Sequence, residues 1–258
     1  MPRSYKITVI NKTGGPQDYA FFNAAPVVSG GMSGPVWSNV IKAADRTPNG
    51  GQASFEVATT YYAICGSFEG SPEQGNQVTI SKSVPVQLGS SNGGAITLGS
   101  SVSLAVYDQS ACDLDPPVTP GQGKLGSFQI DTACKPQNQF TLQDAKDSEL
   151  TPHSYPKPII LDPVASTDPT TTDNLLIGIA TSGSSDITKA MASFAPYPNA
   201  KYQIMPQAIY HVGVGTRFKV GDIVKAEMLG NTMAVDFNMR GTNNVTLVHA
   251  EDMTFYFQ

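Results

Sequence analysis

Charge is scarce in this sequence. Lys, Arg, Asp and Glu make up 14% of its 258 residues, against about 25% in an ordinary soluble domain. Ser, Thr, Asn, Gln and Gly must therefore supply most of the polar surface, which suits a protein of strands and turns. Positive charge is scarcer still: 16 Lys and Arg stand against 21 Asp and Glu, for a net charge of −5. Without a basic run, the attraction to a phosphate backbone is missing, which argues against nucleic acid as a partner. No apolar stretch approaches the roughly 20 residues of a spanning helix, so no membrane span is expected.

Metal-binding and nucleophile motifs are also missing. The three histidines, His153, His211 and His249, stand alone, without HxH, HxxxH or HExxH spacing. No Cys-x-x-Cys occurs, and zinc or non-haem iron needs three or four convergent ligands. No metal is expected. There is no GxSxG elbow and no cysteine beside a histidine, so a hydrolase would need a site assembled from distant residues. Asp108, Asp113, Asp115 and Asp131 cluster around one Pro/Gly-rich stretch, where turn capping and a solvated loop account for them better than carboxylate catalysis does.

The N-terminus, MPRSYKITVI, enters a strand pattern at once and lacks the apolar core and cleavage site of a secretory signal. This favours the cytoplasm over a secreted protein whose leader has been removed. The three cysteines leave the compartment open: Cys112 and Cys134 flank the Pro/Gly stretch at disulfide-compatible positions, and three free thiols fit equally well. The sequons at Asn11 and Asn244 matter only in a secreted chain.

What is present is strand signal. YKITVIN alternates Tyr5, Ile7 and Val9 against polar residues and ends in the turn NKTGGP. DYAFFNAAP and PVWSNVIKA follow. ASFEVATTYYAICG alternates and then turns wholly apolar, as a strand buried on both faces does. NQVTISKSVPVQLG and GAITLGSSVSLAVYD are joined by SSNGG. After CDLDPPVTPGQGKLG come GSFQIDTAC, NQFTLQDAK, NLLIGIAT, AKYQIMP, AIYHVGVG, RFKVGDIVKAE, TMAVDFN, NVTLVHA and MTFYFQ. DITKAMASFA is the one helix candidate in the second half. About six strands before the Pro/Gly stretch and seven or more after it predict an all-β fold, an antiparallel β-sandwich or barrel. The expected division is an N-terminal β-lobe over 1–112, a linker over 113–123 and a C-terminal β-lobe over 124–258, or one intimately packed unit of the two.

The stretch YQIMPQAIYHVGVGTRFKV reads as two strands split by Pro206, then a glycine turn into a further strand: a hairpin. In AIYHVGV, Ile209 and His211 share one face, and Tyr210, Val212 and Val214 the other. Its glycines precede a strand pattern, whereas a dinucleotide fingerprint or P-loop must open a helix, so no nucleotide and no other cofactor is expected. Residues 151–173 hold five prolines and suggest a lid or rim, with His153 and Tyr155 facing a pocket.

Aromatic residues recur along the apolar strands. Tyr and Trp carry polar tips that need partners when buried, so some line a cavity rather than fill a core. Trp37, Tyr61, Tyr62, Tyr202 and Tyr210 are the candidate walls for a small hydrophobic ligand or substrate. Arg240, His211 and Lys201 are the candidate catalytic donors, with Arg217 a further cation at a strand end.

The segments YKITVINKTGGPQDYAFFNAAP, VWSNVI, GSFQIDT and KYQI together resemble small fungal all-β proteins encoded in biosynthetic clusters, including the hetero-Diels–Alderases of tropolonic sesquiterpene assembly. The resemblance is one of texture over most of the chain and assigns no residue a role. It implies a cofactor-independent cyclase acting on a terpenoid and tropolone pair: a tropolone quinone methide as heterodiene and a macrocyclic terpene such as a humulene as dienophile. Orientation and a hydrogen bond to a carbonyl accelerate such a reaction without a metal or a nucleophile. The alternatives are a non-catalytic β-sandwich binding or structural module, lectin-like, and a hydrolase with an unrecognised site.

Overall fold

A computed structural model describes residues 4–31, 34–68, 76–106, 112–133, 175–182, 188–215, 218–224, 229 and 231–258. Of these described residues, 68% are strand and 2% helix, so the fold is all-β, consistent with a sandwich. The first strands are β1 (Ser4–Asn11), β2 (Gln17–Asn23), β3 (Val27–Ser29), β4 (Trp37–Thr47), β5 (Gln52–Ala58), β6 (Tyr61–Phe68) and β7 (Val78–Val86). Next come β8 (Ser90–Asn92), β9 (Ala95–Thr97), β10 (Gly99–Val106), β11 (Cys112–Leu114), β12 (Val118–Gly123), β13 (Phe128–Asp131) and β14 (Leu175–Ser182). The last are β15 (Thr188–Phe194), β16 (Lys201–Met205), β17 (Ile209–Val214), β18 (Ile223–Val224) and β19 (Thr232–Asp236). A four-residue helix, α1 (Phe237–Arg240), precedes β20 (Asn244–His249) and β21 (Phe255–Phe257).

Three principal sheets form. One runs β21-β20-β1-β5, a second β11-β10-β13-β16-β3 with β12 also on β10, and a third β19-β17-β2-β4-β15-β14-β6-β7 with β18 on β4. Most ladders are antiparallel, but β1 pairs with β20 and β10 with β13 in parallel. Phe21 of the nine-stranded sheet stacks on Phe55 of the four-stranded sheet, and Phe194 meets Tyr202 of the six-stranded one. One contiguous core runs through all three. A small second cluster, Ala20, Phe22, Val40, Val224 and Leu229, covers the other face of β2 and β4.

Alternation predicted the strands well where one face is buried: β5 reads exposed–buried throughout, and β14 is buried along nearly its whole length. Four expectations are corrected. The run ASFEVATTYYAICG is two strands, because β5 joins the four-stranded sheet and β6 the nine-stranded one. The predicted helix around Ala190 is the strand β15. Its centre is buried on both faces between β14 and β4, and tertiary pairing overrides the helical preference of Ala and Met.

The Pro/Gly stretch 113–123 contributes β11 and β12, both paired to β10, and so is built into a sheet. All three principal sheets take strands from both sides of it. The hairpin predicted within Tyr202–Val220 is also not formed among the described residues. β17 pairs with β2 and β19, and residues 218–220 are not strand. SSNGG does form a turn, closing the β8–β9 hairpin with Gly93 and Gly94 at φ of 57° and 87°, both in the left-handed region.

Asn11 is not an available sequon. Its buried amide donates to the carbonyls of Gly15 and Thr47 (both 2.8 Å), while its Oδ1 accepts from Thr13. Asn244 is exposed at the start of β20. Residues 151–173, Cys134, Asp108 and Arg217 lie outside the described residues. No helix among the described residues is long and apolar enough to cross a membrane.

Candidate functional site

Alternation on β17 turns Tyr210 and Val212 into the sandwich and leaves Ile209 and His211 half-buried on the opposite face. Inside, Tyr210 meets three rings, Tyr5 of β1, Phe21 of β2 and Phe237 of α1. Its ring lies parallel to Phe21 (5.3 Å between centroids, 3° between planes), and Phe21 lies parallel to Phe55 (5.2 Å, 2°). Tyr5 of β1 stands 5.7 Å from Tyr210, and Phe237 of α1 stacks on Tyr5 at 4.5 Å. Tyr61, at the start of β6, is close enough that its charge would raise the Tyr210 pKa.

Three phenols thus gather where the four- and nine-stranded sheets meet, and Thr181 of β14 ties this corner by donating to the Ala58 carbonyl at 2.8 Å. Tyr5 and Tyr61 are half-buried, whereas Tyr210 is fully buried. Burial, then the neighbouring Tyr61 and Tyr5, pushes Tyr210 well above the ordinary phenol range, and burial pushes Tyr61 up to about 12. Both hydroxyls stay neutral at any physiological pH and so remain donors. The Tyr210 hydroxyl has no hydrogen-bond partner among the described residues. Leaving such a group unmet costs about 1–3 kcal/mol, and an exception of this kind calls for a reason.

The helix α1 closes the corner from outside. Asp236 caps it, its Oδ1 accepting from the Asn238 and Met239 amides (2.9 and 3.4 Å), and Gly241 ends it at φ 64°. Phe237 points inward onto Tyr5 and Tyr210. Asp236, Met239 and Arg240 line an open depression of about 460 Å³ with Ala234 on the outer side.

The predicted donors do not converge on Tyr210. The Arg240 guanidinium sits 3.2 Å from the centre of the Phe257 ring, exposed. His211 stacks on Phe22 (5.1 Å, 9°), burial holds its pKa down, and its strand partner Ala234 lines the same depression as Arg240. His211 therefore lies on the face of β17 opposite Tyr210, and Arg240 lines the depression beside the strand partner of His211. Lys201 is on the six-stranded sheet, 3.7 Å from the Asp131 carboxylate.

Of the predicted walls, Tyr61 and Tyr210 come together. Tyr62 points to the opposite face of β6 from Tyr61. Tyr202 is fully buried against Phe194, its hydroxyl accepting from the Tyr197 amide at 2.6 Å. Trp37 packs edge-on against Phe68, with Nε1 unpartnered among the described residues. Tyr5 and Phe237 were missed as site residues. The signal for Phe237 was present, because DFNMRG carries an Asp cap and a terminal Gly around one helical turn.

A second concavity differs in kind. A polar trough of about 360 Å³ on the six-stranded sheet is lined by Ser101, Ser103, Asp115, Gln122, Gln129 and Asp131 among others. Gln203 ties it together, donating to Gln129 Oε1 (2.8 Å) and to the Gln122 carbonyl (3.1 Å). Elsewhere Tyr19 Oη and His249 Nδ1 are 3.0 Å apart in the core, with Phe255 stacked on the imidazole at 4.4 Å. Among the described residues no group of three or more His, Cys, Asp or Glu is placed to hold a metal ion. No family model, curated protein or solved structure matches the chain.

Proposed function

We propose that the sandwich binds a small, mainly apolar, carbonyl-bearing molecule beside Tyr5, Tyr61 and Tyr210 and promotes its cyclisation without a cofactor. The reaction class is that of a hetero-Diels–Alderase-like pericyclase in secondary metabolism. The observation that carries the reading is the Tyr210 hydroxyl: buried, neutral, ringed by aromatics and unpartnered among the described residues. A carbonyl oxygen arriving there accepts its hydrogen bond.

In the cycloaddition of an oxygen-terminated heterodiene with an alkene, one C–C and one C–O bond form together and no proton is transferred. The carbonyl oxygen gains electron density on the way, so a donor aimed at it stabilises the transition state more than the ground state. The half-buried rings of Tyr5 and Tyr61 are the surfaces left to hold apolar partners in register, and orientation of this kind accelerates a cycloaddition. Arg240, His211 and Lys201 have no part at this donor position; Tyr210 takes the role.

The test is to generate a tropolone quinone methide in the presence of humulene and purified protein, and to resolve the cycloadduct stereoisomers. The expected result is one dominant stereoisomer, with Tyr210→Phe lowering the rate about a hundredfold. A racemic product at the uncatalysed rate would end the proposal.

The non-catalytic reading draws on the trough. Its amides, hydroxyls and carboxylates on an open sheet face suit the hydroxyls of a sugar, as in a lectin-like module, and glycan-array binding lost in Gln129→Ala would support it.

A further inference from the structure

The two described cysteines lie on different sheets and meet. Cys65 is in β6 of the nine-stranded sheet and Cys112 in β11 of the six-stranded one, and β11 lies across β6 and β7. Both are buried free thiols. The ladder between β6 and β7 carries an irregularity at this point: Cys65 pairs with Lys82, but Gly66 pairs with Ile80, leaving Ser81 as an extra residue. A bulge of this kind re-aims the side chains beside it. Gly66 has to be glycine here, since a Cβ would stand 1.9 Å from the Thr79 carbonyl oxygen.

Around the Cys112 sulfur, contacts converge from both strands. Cys65 and Ser81 both stand within hydrogen-bonding reach of it, and Cys112 itself donates to the Gly66 carbonyl at 3.9 Å. Next to it, Lys82 pairs with Asp113 at 3.4 Å, fixing β11 over β7.

We propose that Cys65 and Cys112 form a redox-active pair that hydrogen peroxide converts to a disulfide, stapling the six-stranded sheet to the nine-stranded sheet. Cys112 is the attacking sulfur. Donation from Cys65 and Ser81 outweighs its burial and draws its pKa down, while Cys65 is pushed up by the same shared hydrogen bond and by burial. The Cys112 thiolate attacks one peroxide oxygen and the O–O bond breaks, giving a sulfenic acid and, with a proton, water. The Cys65 thiol then attacks the sulfenic sulfur, forming the S–S bond and releasing a second water. Two thiols are oxidised and one peroxide is reduced to two waters. The sequence alone offered Cys112 with Cys134; the fold places Cys65 against Cys112.

The experiment treats the folded, full chain with hydrogen peroxide, blocks remaining thiols with an alkylating agent in denaturant, and maps the digest by mass spectrometry. The expected product is a peptide pair linking Cys65 to Cys112, lighter by two hydrogen atoms than the reduced pair and abolished by dithiothreitol. It persists in Cys134→Ser, and Ser81→Ala slows its formation. A thermal midpoint that rises on oxidation and falls on reduction accompanies it, because the cross-link restricts the unfolded chain. Full alkylation of Cys65 and Cys112 after peroxide, or a cross-link to Cys134 instead, overturns the proposal, and neither readout depends on a variant that folds.

Discussion

The phenol corner and the polar trough use polar side chains in opposite ways. In the trough, Gln203, Gln129, Gln122 and Ser127 are bonded to one another, and Asp131 to Lys201 and the Ala133 amide. In the corner, a hydroxyl more deeply buried than most of these has no protein partner among the described residues. A saturated network holds a sheet together and has little left to give a ligand, whereas an unmet donor among rings is ready for an acceptor from outside. The proposal rests on this contrast: the trough has the better-supported polar surface, and the corner has the unused chemistry.

That contrast can be broken by stability measurements. The largest effect is expected for Phe21→Ala, which removes the middle ring of the Phe55–Phe21–Tyr210 stack; the loss is about 3–5 kcal/mol by urea denaturation. Gln129→Ala strips one member from the trough's network and should cost about 1–2 kcal/mol. Equal losses at the two sites would mean that the trough, not the ring stack, anchors the fold. Asp236→Ala, which uncaps α1, should cost about 1 kcal/mol. It should also loosen Phe237 over Tyr5 and Tyr210, seen as faster tyrosine quenching.

The smallest effect is a pH dependence confined to the apolar side. Burial lowers the pKa of His249, against the opposing Met253 and Asp252 interactions, and burial lowers that of His211. In each case the folded pKa lies below the unfolded value of about 6.5. The contribution to stability is therefore complete above that value. It declines as pH falls below it, since the unfolded chain takes the proton first, and is lost through the folded pKa. Thermal midpoints should drop between pH 7 and pH 5 in the native chain and drop less in His249→Gln. An equal drop in the variant would remove His249 from the account.

Sequence alone carried much of this fold and little of the site, for a physical reason. Burial on one face writes a period of two into β1, β5 and β17, and burial on both writes the apolar run of β14, so those strands were legible. TKAMASF has neither pattern cleanly, and its place between β14 and β4 is a tertiary fact. The corner joins Tyr5, Tyr61 and Tyr210 through the pairing of distant strands, which no local pattern encodes. Trp37, Tyr61, Tyr62, Tyr202 and Tyr210 were singled out as aromatic tips that need partners, and among the described residues the polar tips of Trp37 and Tyr210 have none. Arg240 was chosen as a cation at a strand end and lies over the Phe257 ring, while His211 stacks on Phe22 and Lys201 pairs with Asp131.

The central claim is that the Tyr210 hydroxyl waits for an acceptor. Calorimetric titration of tropolone into the native chain and into Tyr210→Phe tests it most directly, with urea denaturation of both run alongside. The account predicts that the variant is at least as stable as the native chain, since it removes an unmet polar group, and binds tropolone about tenfold more weakly, the worth of one hydrogen bond. Equal affinity for tropolone in the two proteins, or a Tyr210→Phe chain clearly less stable than the native one, would contradict it.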